Sequence, residues 1–224
     1  MEIIPTPLTI SPQKFTEDMQ KLSLFFSTFH IDIADGLLVP GKTATVEELT
    51  PHLLKYQDRS FDFHLMVQDY GKPINYLRSL SSKLQIGRVF VHHKAAPDKG
   101  LFVSHSDPFI IGLALNPSEH VKTLPTYYSL EFMRAIQIMS VEPGAQGQLF
   151  IKETLNKIEQ LRLLNYRNNI FLDGGVNNLT LPLILSQRYT PDILSVGSYF
   201  SKASDLKINV EELKKMLPLE PLKG

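Results

Sequence analysis

Short apolar runs recur along this chain, and longer segments with helical features separate them. Runs rich in Val, Ile, Leu and Phe are typical of buried strands, whereas apolar residues three or four positions apart indicate a helix. Eight strands alternating with helices in 224 residues most economically form a closed parallel (β/α)8 TIM barrel of the α/β class, and an open doubly wound sheet is the alternative. The candidate strands lie near Ile3–Ile10, Phe25–Ile33, Ser60–Met66, Arg88–His92, Phe109–Leu115, Ala135–Val141, Ile170–Leu172 and Ile193–Val196.

The segment LFIKETLNKIEQLRLL shows the clearest helical pattern between two of these strands, because its apolar residues share one helix face. The linker APDKGLFVSHSD after the fourth strand is short, and we expect no full helix there. Prolines at first-turn positions and one capping-box pattern predict further helix starts. These signals lie at Ser11-Pro12, Thr50-Pro51, Lys72-Pro73 and Asn209-Val210-Glu211-Glu212.

Composition and charge limit the domain organisation and the partners. With 43% hydrophobic residues and no linker or repeat, the chain is expected to form one globular domain over residues 1–224. Lys+Arg and Asp+Glu both count 23, so no basic field is available and we expect neither a nucleic-acid partner nor a membrane partner. The chain has no cysteine, so a metal would need nitrogen and oxygen donors. The start MEIIPTPLTI lacks the features of a secretory signal, which favours a cytoplasmic protein.

Four polar residues stand at the ends of apolar runs. His30 and Asp32 lie in FHIDIADG, His64 in FDFHLMV and Asp173 in IFLDGGV. Each alone is well explained as a hydrogen-bonded core histidine or a turn-forming aspartate. In a parallel barrel, however, all four strand ends open onto one mouth, and residues two apart share a strand face. Two imidazoles and two carboxylates there predict a metal site, and two carboxylates flanking a substrate can move a proton between its faces.

Glycine-rich turns follow the sixth, seventh and eighth candidate strands. Gly144 and Gly147, Gly174 and Gly175, and Gly197 let backbone amides approach a ligand closely, and such amides attract anions. The loops after the last two strands are also where barrels often hold phosphate. We therefore expect a phosphate group to bind beside the predicted metal site.

These motifs together resemble the ribulose-phosphate 3-epimerase family. FHIDIADGLLVP, FDFHLMV, IGLALNP, IMSVEPGAQGQLF, FLDGGV and VGSYF occur in the family's order and at similar spacing, from about Thr9 to Phe200. The resemblance implies a phosphate-binding barrel that inverts carbon 3 of a ketopentose phosphate with one divalent metal ion, such as zinc, iron(II), manganese or cobalt. It also implies a small-molecule sugar phosphate as the partner and a homo-oligomer.

Carried over by position, the resemblance makes His30, Asp32, His64 and Asp173 the metal ligands. Asp32 and Asp173 would also be the catalytic acid/base pair, and a cation beside them would stabilise the enediolate as a Lewis acid. Substrate contacts are implied at Thr9, His64, Met66, Met139, Gly144, Ala145, Gln146, Gly147, Gly174, Gly175, Gly197 and Ser198.

Three residues depart from the family pattern and leave the substrate open. Ala34 replaces a methionine, Gln146 replaces a glycine, and Lys94 replaces an acidic residue. D-ribulose 5-phosphate is the leading substrate, with D-xylulose 5-phosphate as the product, whereas a six-carbon ketose phosphate such as allulose 6-phosphate would suit a pocket enlarged at Ala34.

A catalytically silent sugar-phosphate-binding barrel is a further alternative to an epimerase. Decarboxylase or aldolase chemistry ranks last, because only Lys94 stands at a convincing strand end. His92 and His93 are interpreted as surface or supporting histidines.

Overall fold

Eight parallel strands form one sheet in the computed structural model, which describes residues 1–103, 106–144 and 147–218. The strand order is β1-β8-β7-β6-β5-β4-β3-β2, and β1 and β2 at its two ends are in contact. The sheet is therefore a nearly closed barrel, as predicted, and not an open doubly wound sheet. The strands are β1 Glu2–Pro5, β2 Thr28–Ala34, β3 Ser60–Met66, β4 Gln85–His92, β5 Ile110–Leu115, β6 Ala135–Met139, β7 Asn169–Asp173 and β8 Ile193–Val196.

Helices of the described residues alternate with these strands. The α-helices are α1 Pro12–Leu22, α2 Val46–Leu53, α3 Gly71–Leu80, α4 Leu124–Tyr127, α5 Asn156–Leu163, α6 Leu181–Leu185, α7 Ser198–Ser201 and α8 Leu206–Met216. Short 3-10 helices span Leu54–Tyr56, His93–Ala95, Lys99–Phe102, Val121–Thr123 and Lys152–Leu155. The linker after β4 thus contains only 3-10 turns in its described part. None of the helices in the described ranges is long and apolar enough to cross a bilayer.

Two of the predicted helix starts are wrong by about one turn. α2 begins after Thr45, whose hydroxyl accepts a bond from the Glu48 N–H while the Glu48 carboxylate accepts one from the Thr45 N–H. Pro51 therefore lies inside α2 and does not start it. α8 begins after the capping carboxylate of Asp205, so Asn209 lies within the helix. In both cases a complete cap farther upstream satisfies the first free N–H groups.

The first strand is shorter than predicted, because the chain leaves the sheet after Pro5. The following segment bends over the barrel mouth and bonds to other segments there. The Thr9 hydroxyl donates to the Asp32 carbonyl over 2.6 Å, and the Ala44 N–H donates to the Thr9 carbonyl over 2.7 Å. This bend brings Thr9 to the carboxyl end of β2.

The core has two parts, one between the sheet and the helices and one inside the barrel. The outer part is the larger and contains most of the buried Leu, Ile, Val and Phe side chains. The inner part consists of Ile4, Phe90, Ala114, Ala135, Phe171 and Ile193. The Phe90 and Phe171 rings meet edge to face with centroids 4.7 Å apart. This inner layer fills the barrel and forms the floor of the site described next.

Candidate active site

The four predicted metal ligands meet at the carboxyl end of the barrel. His30 and Asp32 share the inner face of β2, His64 lies beside them on β3, and Asp173 ends β7. One ligand atom from each residue lies within 4.8 Å of the other three. The alternation of strand side chains and the parallel direction of the strands produce this cluster from distant parts of the sequence.

Distances within the cluster show which atoms face one another. His64 Nδ1 lies 2.9 Å from Asp32 Oδ1 and 3.4 Å from Asp173 Oδ2. His30 Nε2 lies 3.8 Å and 3.6 Å from the same two oxygens. Both His30 nitrogens are buried and have no hydrogen-bond partner among the described residues. A buried imidazole nitrogen aimed at two carboxylates fits a metal donor, and the N2O2 set suits zinc, iron(II), manganese or cobalt.

Opposite charges within the cluster shift the pKa values of His64 and Asp173. Burial alone would lower the pKa of His64, but its hydrogen bonds to Asp173 and Asp32 raise that pKa to about 9. Burial alone would raise the pKa of Asp173, but His30 and His64 hold it well below its usual range. Asp173 is therefore anionic at neutral pH, which is the state in which a carboxylate can accept a proton.

His92, the last residue of β4, supports the cluster from the side. Its Nε2 lies 2.7 Å from His64 Nε2, and the two rings stack with centroids 4.8 Å apart. Burial and the neighbouring His64 hold the pKa of His92 well below its usual range, so its ring is neutral. Such a contact fixes the orientation of a ligating imidazole. His93, by contrast, points away and lies 3.1 Å from the Tyr128 hydroxyl.

A cavity of about 300 Å³ opens directly above Asp32, His64 and Asp173. Its walls bring together the predicted substrate-contacting residues that the structure describes, whereas His30 lies beneath the floor. Ala145 and Gln146 lie outside the described residues. The predicted residues that line the cavity are Thr9, Asp32, His64, Met66, Met139, Gly144, Gly147, Asp173, Gly174, Gly175, Gly197 and Ser198.

One side of the cavity is built from backbone. Gly174 has a φ of +111°, and a Cβ atom at this position would overlap the Val141 side chain, so only glycine fits the turn after β7. Lys202 was not predicted from the sequence. Its ammonium lies beside Gly147, since a Cβ atom added to Gly147 would be 3.0 Å from Lys202 Nζ. Backbone amides and a nearby cation suit an anionic group.

The other side of the cavity is more apolar. Met66 and Met139 are both buried and line it, together with Ala34. The Thr9 hydroxyl donates to the Asp32 backbone, which leaves its oxygen able to accept a bond. Met66, Met139 and Thr9 were all named in the sequence analysis as implied substrate contacts, and all three line this cavity.

One lysine differs from its sequence interpretation, and another was missed. Lys94 does not line the cavity; its ammonium donates to the Leu38 carbonyl over 3.0 Å in the β2–α2 loop. Lys42, which the sequence analysis did not single out, does line the cavity. Its loop position gave no strand-end signal, so only the fold could bring it there.

Gln137 is a further residue that sequence reasoning missed. It is fully buried in the run AIQIM, and its amide nitrogen lies 2.9 Å from Asp173 Oδ2. The available signal was its spacing of two from Met139, which puts both side chains on one strand face.

Comparison with known proteins gives the family. The model of the ribulose-phosphate 3-epimerase family matches residues 2–200. This chain belongs to the ribulose-phosphate 3-epimerase family. Membership makes it an isomerase of carbohydrate metabolism and agrees with the cluster and the cavity above.

Relatives in the family match over most of their length. The Helicobacter pylori (strain J99) ribulose-phosphate 3-epimerase is 26% identical over 218 residues, which cover 96% of this chain and 97% of that protein. The Chlamydia pneumoniae ribulose-phosphate 3-epimerase is 30% identical over 200 residues, which cover 84% and 82%. Among solved structures, KGPDC from Streptococcus mutans in complex with D-R5P superposes with a TM-score of 0.68 at 10% identity, covering 96% of this chain and 95% of that one. This likeness supports the barrel fold.

Proposed function

We propose that this member of the ribulose-phosphate 3-epimerase family converts D-ribulose 5-phosphate to D-xylulose 5-phosphate by inverting carbon 3. The observation that carries the proposal is the placement of two carboxylates, Asp32 and Asp173, around one point of the cavity floor. Inversion needs a proton removed from one face of the carbon and another delivered to the opposite face. Two carboxylates that face the same point from β2 and β7 suit these two tasks.

Different side chains of the protein would carry out the separate steps of the inversion at carbon 3. Asp173, which is anionic, removes a proton from carbon 3 in one direction of the reaction, while Asp32 returns one from the other side. Met66 and Met139 exclude water above the reacting carbon, and the Thr9 oxygen accepts a bond from a substrate hydroxyl. The backbone around Gly174 and the remaining glycine-rich turns would bind the phosphate, with Lys202 beside them.

We further propose that His30, Asp32, His64 and Asp173 hold one divalent metal ion. When bound, such an ion stabilises the negative charge of an enediolate as a Lewis acid. His92 would keep the His64 ring in the ligating orientation. The orphaned nitrogens of His30 favour this assignment over a purely hydrogen-bonded cluster.

A six-carbon ketose phosphate is the second candidate substrate. Ala34 lines the cavity with a single methyl group, which leaves room beside the floor for a longer chain. A catalytically silent barrel is less well supported, because a binding role requires only the phosphate side and not two carboxylates at the floor. A lysine-dependent decarboxylase or aldolase role for Lys94 has no support, because that ammonium is bonded to the Leu38 carbonyl.

Deuterium exchange tests the proposal most directly. Purified protein is incubated with D-ribulose 5-phosphate in deuterated water, before and after chelation, and then with zinc, iron(II), manganese or cobalt returned singly. We expect metal-dependent deuterium at carbon 3 together with D-xylulose 5-phosphate, detected by NMR. No exchange by the folded, metal-loaded protein would contradict the proposal, and faster turnover of D-allulose 6-phosphate in parallel would favour the second candidate.

Four broader predictions accompany this function. We propose that residues 1–224 form one barrel domain, since all eight strands of the described residues belong to one sheet. The homo-oligomer implied by the resemblance stays a prediction, as does the cytoplasmic location. The balanced charge of the chain favours a small-molecule partner over nucleic acid or membrane.

A further inference from the structure

A fully buried glutamine lies beneath the proposed acid/base pair. Gln137 is on β6, with Ala135 and Met139 on the same inner face of the barrel. Its amide nitrogen donates one bond to Asp173 Oδ2 over 2.9 Å and approaches Met139 Sδ at 3.4 Å. One amide group therefore contacts both the proposed base and one of the two sulfurs that line the cavity.

The orientation of this amide is fixed by its neighbours. The opposite orientation would set the amide oxygen against a carboxylate oxygen, and these two acceptors repel each other. In the orientation seen, the amide oxygen of Gln137 has no hydrogen-bond partner among the described residues. A buried polar atom without a partner destabilises the folded state. Stability alone therefore does not explain a glutamine at this position, where methionine would fill a similar volume.

The hydrogen bond from Gln137 helps to fix the orientation of the Asp173 carboxylate. Asp173 Oδ2 accepts this bond and also faces His30 and His64, so this oxygen is held from below and from the side. The torsion of the carboxylate is thereby fixed, and Oδ1 is left for proton transfer in the cavity that Asp173 lines. The rate of proton transfer falls steeply when the donor or the acceptor is misaligned.

We propose that Gln137 is a positioning residue that fixes the Asp173 carboxylate and the Met139 thioether relative to carbon 3 of the substrate. The inference rests on the proposed function, because it assigns Gln137 a task in that reaction. It adds a determinant of turnover that lies below the cavity and does not touch the sugar.

Gln137→Met tests the inference, with Ile138→Met as the matched control. Ile138 is equally buried, its side chain belongs to the outer core on the opposite face of the same strand, and it does not line the cavity. We expect Gln137→Met to lower kcat about 10- to 100-fold, with KM changed by less than about threefold, because the substrate-binding groups stay in place. The midpoint of urea unfolding should be unchanged or higher, and the metal content per chain should be unchanged. Ile138→Met should keep the kcat of the wild type.

Opposite effects on activity and stability separate a positioning role from a structural one. A kcat close to that of the wild type would overturn the inference. So would a parallel loss of stability and kcat, or a loss of metal that accounts for the loss of kcat. If the wild-type protein itself exchanges no deuterium at carbon 3, the proposed function fails, and that result is visible before any variant is made.

Discussion

The two aspartates of the candidate site have unequal surroundings. Both carboxylates face His30 and His64, but the Asp173 side chain is 10% exposed and accepts a bond from Gln137, whereas the Asp32 side chain is 20% exposed and its backbone carbonyl accepts a bond from Thr9. The two histidines lower the pKa of Asp173, so it is charged wherever the protein is folded near neutral pH. This difference between the carboxylates suits two separate proton-transfer tasks.

Asp173→Asn should remove one of these tasks while it preserves the shape of the side chain. Asparagine cannot accept a proton from carbon 3, so we expect deuterium exchange to fall about 100- to 10,000-fold. Exchange measured by NMR and folding measured by circular dichroism check the prediction. Asp58→Asn makes the same chemical change at a side chain that is 72% exposed, and it should leave exchange unaltered. Near-normal exchange by Asp173→Asn would remove this residue from the acid/base role.

Most of the cluster could be predicted from the sequence, because strand geometry decides its position. His30 and Asp32 are two apart, and His64 and Asp173 stand at other strand ends, so a parallel barrel brings all four together. Gln137 escaped notice because a single polar residue in an apolar strand has no partner in the local pattern. Its role depends on a contact 36 residues away along the chain.

Two loops from opposite sides of the barrel meet over the cavity. β2 and β6 are four places apart in the strand order, yet the loop after β2 touches the start of the loop after β6. Gly144 has a φ of +122°, and a Cβ atom on it would overlap the Pro40 carbonyl oxygen. The Lys94 ammonium holds the β2–α2 loop through the Leu38 carbonyl. The width of the cavity mouth therefore depends on this contact between loops.

Gly144→Ala should push the two loops apart without unfolding the barrel. The new methyl group collides with Pro40, and alanine disfavours a positive φ by roughly 1–2 kcal/mol. Because groups on both loops line the cavity, we expect kcat/KM to fall by about 10-fold or more. Steady-state kinetics and the urea midpoint check this prediction.

The control for this loop prediction is Gly71→Ala at the start of α3. A methyl group there meets only Asp69 Oδ1, at an ordinary distance of 3.4 Å, and lies outside the cavity wall. This variant should keep the wild-type kcat/KM. Equal kinetics for Gly144→Ala and the wild type would show that the loop contact has no part in substrate binding.

At the scale of elements, strands were easier to predict than helix starts. Apolar runs located all eight strands, with errors mainly at their ends. β1 stops early because the chain turns to bring Thr9 to Asp32, a long-range contact that local pattern does not encode. Pro51 was misread as a helix start because the cap at Thr45 forms a complete capping box, which outweighs the cost of an interior proline.

The kinds of side chain inside the barrel differ from one end of its axis to the other. The candidate site occupies the carboxyl end, the inner apolar layer lies below it, and a buried ion pair lies farther toward the amino end. Arg88 donates to Asp62 over 2.9 Å, and its guanidinium lies 4.9 Å from the centroid of the Phe171 ring. Closure of the barrel could be predicted from the sequence but this pair could not, because neither residue stands at the carboxyl end of a candidate strand. Barrels commonly separate activity and stability between their two ends in this way.

Arg88→Met should therefore reduce stability and leave catalysis intact. The Asp62 side chain is fully buried, and burial raises its pKa even beside Arg88; without Arg88 an uncompensated charge remains, at a cost of about 3 kcal/mol. A raised native pKa means that the folded state binds a proton more readily than the unfolded state, so stability falls as pH rises through that pKa. The loss of stability in Arg88→Met, measured by urea unfolding, should thus be smaller at pH 5 than at pH 8.

The double variant Asp62→Leu, Arg88→Met should recover most of the lost stability, since an apolar pair needs no compensation. Both variants should keep the wild-type kcat/KM at 25 °C, and a double variant no more stable than Arg88→Met would show that the pair contributes by packing and not by charge.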